Sequence, residues 1–303
     1  MMAPVSRKGQ LTQQLPLHLI LPGVVLMLVF SYGPMFGIIM AFQKYSVGKG
    51  FLRSPWVGLK NFEYILQVPD FYQVLYNTVF ISTMKIAAGL IFPVIIALLL
   101  NEFRKPYFKR SIQTTIYLPY FFSWVIMAGI LIDILSPSSG AINKIIILLG
   151  GKPIFFLMDE QAFIIVLIIS NIVKESGFGT IVYLAALTSI DPTYYEAAIV
   201  DGANRWKQTL HITLPGLKPI LTLMALLSLG SVLNAGFDQI FNLYNPMVYR
   251  TGDILDTLVY RMGLLNYQYS LAAAVGLFKS IVSCILIVLA YKLAYRYAGY
   301  RIL

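Results

Sequence analysis

Asp191-Pro192-Thr193-Tyr194-Tyr195-Glu196-Ala197-Ala198-Ile199-Val200-Asp201-Gly202, continuing through Ala203 and Asn204 to Ile212-Thr213-Leu214-Pro215, is the stretch on which the reading of this chain turns. Its helix grammar is complete in itself. Asp191 can cap free amides, Pro192 suits a first helical position, and Gly202 can leave the helix left-handed, which predicts a helix of about three turns over Pro192 to Asp201. A second short helix is predicted from Asn204 to about Ile212, stopping before Pro215. Ala197 and Ala198 leave one flank nearly bare, so another backbone could approach closely, and Tyr194, Tyr195 and Trp206 add contact area. The segment reads as a docking knuckle.

Working outward, both sides of the knuckle are apolar. Of 303 residues 58% are hydrophobic and 12% charged, and mean hydropathy is +0.75. An average globular chain is about a quarter charged, so this apolar excess faces lipid and a soluble enzyme is excluded. Runs at about 17–42, 76–100, 112–135, 162–187, 217–236 and 271–295 each approach or exceed the roughly 20 residues that cross a bilayer core. The expectation is an all-α integral membrane protein: a single domain over 1–303 with six transmembrane helices and a loop, 191–215, between spans four and five. The first run follows Arg7 and Lys8 and is too long and too interrupted by Gly and Pro for a signal peptide, so it reads as a retained span.

Charge gives sidedness. Formal net charge is +10. Twelve Lys and Arg lie in the tails, in 101–111 and in 188–218, against eight in the longer opposite loops. The positive-inside rule then predicts both termini and the knuckle to be cytoplasmic, and the basic residues to face lipid headgroups rather than nucleic acid. Residues 140–158 are too short to cross twice and read as an amphipathic helix on the outer surface.

Chemical motifs are missing from the sequence. Gly150-Gly151-Lys152-Pro153 lacks the spacing of a phosphate loop, and Cys284, His18 and His211 form no metal-ligand pattern. No catalytic residue, metal site or bound cofactor is expected on this chain.

Glu196-Ala197-Ala198, three residues, Gly202, nine residues, then Ile212, Leu214 and Pro215 resemble at every position the E-A-A-x3-G-x9-I-x-L-P loop of bacterial ABC importer permeases. Tyr195, Asp201-Gly202-Ala203, Asn77-Thr78 and Leu118-Pro119-Tyr120 resemble the carbohydrate branch of that family. Trp56-Val57-Gly58-Leu59-Lys60-Asn61-Phe62 and Tyr269-Ser270-Leu271-Ala272 resemble the subgroup associated with complex oligosaccharides. The resemblance runs from about Leu17 to the C-terminus. It implies the type I importer permease fold in a bacterial plasma membrane, with a second permease subunit as heterodimer partner, two cytoplasmic ATPase subunits holding ATP and magnesium, and an extracytoplasmic sugar-binding lipoprotein. ATPase coupling would then fall to Glu196, Ala197, Ala198, Asp201, Gly202, Ile212, Leu214 and Pro215.

Polar and aromatic residues inside the spans supply a candidate path. Asn171 to Gly179, with Lys174 and Glu175 adjacent, reads as an interruption of span four, and such charges should face protein or a watery cavity. Ser231 and Asn234 read as one face at the end of span five, with Phe237 beyond, and Tyr120 and Trp124 as one face at the start of span three. Aromatic faces stack on sugar rings and amides answer hydroxyls. In the larger permease of maltose-type importers, which the chain resembles, substrate-contacting residues fall where Tyr120, Trp124, Asn171, Ser231 and Asn234 stand; Trp124 replaces a small polar residue there, and Glu175 a glycine. Lys85 and Lys279 read as snorkelling or partner-facing. Two alternatives remain: an ion-coupled secondary transporter using Glu175 or Asp133, and a membrane-embedded glycosyl-lipid transferase.

Overall fold

The computed structural model describes residues 20–103 and 105–298, with side chains as far as 292. Positions 17–19 of the first run, the tail bearing Arg7 and Lys8, His18, Arg104 and the last five residues lie outside the described residues. Among the described residues the only extended pairing is an isolated bridge between Gln43 and Trp56; the rest is helix and connection.

Five helices are long and apolar enough to span a membrane: Ile20–Phe42, Phe71–Glu102, Glu160–Thr188, Arg205–Leu229 and the helix beginning at Tyr269. A sixth span is built from two pieces, Pro106–Phe121 and Trp124–Leu135, bent by 105°. Spans two and four pack along each other more extensively than any other pair of elements. Three apolar clusters follow span two along its length. Phe71 and Val74 join Leu255 and Val275 at one end, Ile81 joins Phe163 and Leu167 in the middle, and Val94 and Ala97 join Tyr183 and Leu217 next to the knuckle.

Three of the expected spans are corrected by the structure. Span three, expected as one helix over 112–135, breaks at Phe122-Ser123. Pro119 opens a tight final turn over Leu118–Phe121, and the Ser123 hydroxyl caps a new helix by accepting from Ile126 N. Span four, expected to be interrupted, runs unbroken from Glu160 to Thr188. Its glycines serve contact instead of flexibility: a Cβ on Gly177 would stand 2.3 Å from Ile116 O, and one on Gly179 3.0 Å from Pro93 Cγ. Span five, expected over 217–236 after a separate short helix, is one helix from Arg205 to Leu229. Its turn at Thr209–Thr213 is a π-helix, which opens the ring of hydrogen bonds just before Pro215 and lets the chain pass a residue that has no N–H. The helix then ends, and Gly230 to Gly236 form turns and irregular chain before a short helix at Phe237–Leu243.

At the end opposite the knuckle, side chains bind the connections to the bundle. Asn77 donates to the carbonyls of Arg250 and Asp253, and Thr78 accepts from Leu255 N. Asn61 donates to Ala41 O and Gln43 O, and Ser270 accepts from Tyr45 N. The Ala141–Leu148 helix sits where an amphipathic surface helix was expected, fixed by buried Asn143 to Leu135 O, Ser136 O and both backbone groups of Ile154.

The Gly177 contact yields a stability test. Gly177→Ala drives a methyl group into the backbone of Ile116 and should cost about 1–3 kcal/mol, the usual penalty of overpacking. Gly89→Ala, where a Cβ meets nothing within 4 Å, should change stability by no more than about 0.5 kcal/mol. Thermal melting of the detergent-solubilised chain separates the two; equal melting temperatures would show that spans three and four do not touch at Gly177.

Candidate functional site

The knuckle forms from its own sequence. The Asp191 carboxylate accepts from Thr193 N at 2.9 Å and from the Thr193 hydroxyl at 2.7 Å, opening a helix over Pro192–Val200. The far end is a Schellman cap: Gly202 N donates to Ile199 O at 3.0 Å and Ala203 N to Ala198 O at 2.8 Å. Gly202 takes φ +75°, a value that any side chain would strain. Asp201 is the closing residue of the helix, its N–H bonded back to Ala197 O.

One contact ties this helix to span five, and a second joins span five to span two. The Tyr195 hydroxyl and the Thr213 hydroxyl share a hydrogen bond of 3.0 Å across the π-turn that contains Ile212. Arg205, the first residue of span five, pairs with Glu102, the last of span two. Neither ionic partner was singled out from sequence, because they stand 103 residues apart. Leu214 packs on the cluster around Val94 and Leu217, whereas Pro215, Glu196 and Ala197 are exposed. Ala198 is half-buried. Beside them Tyr194, Ile199, Val200 and Trp206 are 63%, 63%, 87% and 74% exposed. An exposed apolar surface of this kind is available for contact with another protein or with lipid.

The candidate path residues fall into two groups. Tyr120, Trp124 and Glu175 converge on Lys174. Its Nζ lies 5.3 Å from the Tyr120 ring centroid and 5.6 Å from that of Trp124, with a Glu175 carboxylate oxygen at 4.0 Å. Tyr120 and Trp124 do not share a helical face, since the break in span three falls between them; each instead faces the Lys174 ammonium across the bend. Phe178, which sequence reasoning passed over, stacks on Tyr120 at 4.4 Å and 9°. Asn171 is half-buried one helical turn before Glu175 on span four.

Ser231 and Asn234 form the second group. Both are exposed on the irregular chain after span five, so their expected common helical face does not exist. Asn234 N bonds Ser231 O at 2.8 Å, closing a turn. Ser231 lines an apolar groove of about 460 Å³ with Leu227, Gly230 and Ile287. Lys85 neither snorkels nor faces outward: it is buried, and its ammonium donates to Ala235 O at 2.6 Å and to the Gln239 amide oxygen. Gln239 in turn donates to Leu167 O and the Ser170 hydroxyl. Lys279 pairs with Asp256. Among the described residues no group of His, Cys, Asp and Glu is placed to hold a metal ion.

Comparison with known proteins completes this picture. Residues 89–298 match the family described as binding-protein-dependent transport system inner membrane component. The polygalacturonan/rhamnogalacturonan transport system permease protein YteP of Bacillus subtilis (strain 168) is 43% identical over 289 residues, spanning 95% of this chain and 90% of that protein. Protein LplB of the same organism is 44% identical over 269 residues, spanning 89% and 85%. A chain in the crystal structure of a bacterial ABC transporter involved in the import of the acidic polysaccharide alginate superimposes with a TM-score of 0.86 at 36% identity, over 95% of this chain and 98% of that one. The chain belongs to the binding-protein-dependent transport system inner membrane component family, and it is a multi-pass ABC importer permease. Membership replaces both alternatives, the ion-coupled transporter and the membrane-embedded transferase.

The knuckle cap has a pH signature. The Thr193 hydroxyl, and after it the Thr193 N–H, hold the Asp191 carboxyl below its ordinary value. A group lowered on folding stabilises fully above its unfolded pKa of roughly 3.9 and loses that contribution as pH falls through the lower, folded value. Amide protection over Pro192–Val200 should therefore drop at acid pH and fall several-fold in Asp191→Ala at neutral pH, while Asp191→Asn keeps protection at both. Hydrogen exchange read by mass spectrometry checks this; identical protection in Asp191→Ala would remove the cap.

Proposed function

We propose that this permease is one half of the membrane channel of an ATP-driven importer that carries an oligosaccharide or glycan fragment inward from an extracytoplasmic sugar-binding lipoprotein. The second half is a different permease subunit. Two cytoplasmic ATPase subunits bind ATP and magnesium, so the chain itself holds no cofactor. It lies in a bacterial plasma membrane with both termini cytoplasmic, where the excess of Lys and Arg in the tails and in 101–111 and 188–218 supports their placement. Relatives whose names refer to polygalacturonan/rhamnogalacturonan, arabinooligosaccharides and lactose transport support a glycan cargo.

The observation that carries the coupling role is the knuckle: a capped helix with exposed apolar side chains, joined to span five through Tyr195 and Thr213 and followed at once by the continuous helix Arg205–Leu229. Movement of an ATPase subunit against Glu196, Ala197, Ala198, Asp201 and Gly202 would be passed through Ile212, Leu214 and Pro215 into span five. The exposed Arg205–Glu102 pair would let span five move against span two. In the membrane, Tyr120, Trp124, Asn171 and Glu175 would meet the cargo, with Ser231 and Asn234 beyond.

Purification of the tagged chain from its native host should bring down an ATPase and a second multi-span protein. Ala198→Trp and Gly202→Ala should still insert and assemble their spans but lower substrate-stimulated ATP hydrolysis by about tenfold, the effect of losing roughly 1.4 kcal/mol of coupling. Normal stimulation in both would end the docking role of the knuckle.

Sidedness is tested by labelling. In a Cys284→Ala background, Leu148→Cys and Asn266→Cys, both at exposed positions, should react in intact cells with a membrane-impermeant maleimide, and Lys207→Cys should not. Reaction at Lys207→Cys would invert the topology.

A further inference from the structure

Lys174 lies in the middle of an apolar span, yet only 6% of it is exposed. Its ammonium donates to Tyr120 O at 2.7 Å and to Phe122 O at 2.8 Å. Those carbonyls sit on the two sides of Phe121, where the first half of span three ends and the chain turns through 105°. Glu175, at 4.0 Å and with a side chain 42% exposed, is a weaker partner. The main bonds of this lysine are therefore to backbone, at a helix end whose final carbonyls have no helical donor.

Neighbouring side chains of span four complete a socket for that turn. Gly177, three residues on, admits the backbone of Ile116 and Tyr117, which any Cβ would push away. Phe178, four residues on, lies flat against the Tyr120 ring. The ammonium is also within cation–π range of both Tyr120 and Trp124, which belong to opposite halves of the bent span. One buried charge thus contacts the end of the first half-helix, the linker, and the first residue of the second half-helix.

We propose that Lys174 is the positioning residue of the sugar path: it fixes the angle between the two halves of span three and so sets the Tyr120 and Trp124 rings, without touching the cargo itself. The proposal rests on the reading of those two rings as path residues. Lysine suits the role because three ammonium donors on a long stem can serve two carbonyls and a ring face together. A methionine of similar length has no donor and would leave both carbonyls unpaired. Glutamine offers two N–H donors without charge.

The test uses the full-length chain labelled with 5-fluorotryptophan for fluorine NMR, and the reconstituted importer for uptake of a mixed digest of oligogalacturonides and arabino-oligosaccharides. Lys174→Met should shift or broaden the Trp124 resonance while those of Trp56 and Trp206 stay in place. It should raise the half-saturating level of the digest about tenfold, with basal ATP hydrolysis kept within about twofold. Lys174→Gln should move the same resonance less and raise half-saturation about threefold, and Glu175→Gln should leave the Trp124 resonance where it is. An unmoved Trp124 resonance with unchanged half-saturation in Lys174→Met overturns the proposal. So does a general loss of assembly in both Lys174→Met and Lys174→Gln, which would make the lysine a brace of the whole bundle. Trp124→Ala separates the two levels: if it raises half-saturation and Lys174→Met does not, the path stands and the positioning role falls. If Trp124→Ala leaves uptake unchanged, the path reading fails and takes the proposal with it.

Discussion

A backbone carbonyl inside an apolar layer has no water to turn to, and two spans of this protein stop within or beside that layer. Span three breaks after Phe121 and span five ends at Leu229, each leaving carbonyls without helical donors. The replies come from neighbouring spans. Lys174 of span four donates to the carbonyls of Tyr120 and Phe122. Ser82 and Lys85 of span two donate to those of Val232 and Ala235. A lysine at the centre of a span costs about 2.5–3.5 kcal/mol to insert, while a hydrogen bond to a charged group returns roughly 1.5–3 kcal/mol. Two such bonds per lysine are enough to offset the insertion cost: both of those from Lys174 go to carbonyls at the break, and Lys85 adds the Gln239 amide oxygen to the carbonyl of Ala235. Spans two and four, which carry the two ammonium groups, also form the most extensive pairing in the bundle.

The same constraint decides what was legible in the sequence. The knuckle could be read in advance because its signals are local: Asp191, Pro192 and Gly202 act on neighbours within a few residues, and all three were found doing so. The number of spans was legible from apolar run lengths for a similar reason. The breaks were not, because composition averages across them. Residues 112–135 remain apolar through the bend, and only Pro119 and the capping Ser123 betray it. Taken together as a stop and a start, Pro119 and Ser123 mark the bend.

Side-chain pairing inside the membrane was harder still. Helical periodicity pairs Tyr120 with Trp124 and Ser231 with Asn234, and in neither case does one continuous helix join the two positions. Both rings nonetheless face Lys174, whose ammonium lies 5.3 Å from the Tyr120 centroid and 5.6 Å from that of Trp124. Glycines misled in a regular way. Gly177 and Gly179 suggest looseness when span four is considered alone, but against its neighbours they are the points where Ile116 and Pro93 come closest. A missing Cβ permits either bending or contact, and only tertiary structure says which.

These placements bear on how a displacement at the knuckle would travel. From Arg205 to Leu229 the chain is a single helix, and beyond Leu229 the carbonyls of Val232 and Ala235 are held from span two. Span two is also reached at its knuckle end, where Glu102 pairs with Arg205. Spans two and five are therefore joined twice, by an exposed ion pair near the knuckle and by hydrogen bonds from the middle of span two to the backbone just past the end of span five. Exposed pairs contribute at most about 1 kcal/mol, and buried charge-assisted bonds contribute more. A load applied at the knuckle would slip first at the weaker end, where Arg205 and Glu102 can separate in water at small cost, while Ser82 and Lys85 hold the far end fixed. Span five would then pivot about its Leu229 end rather than slide past span two. A pivot moves the residues near the knuckle most and those at Ser231 and Asn234 least, which suits a gate at one face of the membrane more than a piston through it.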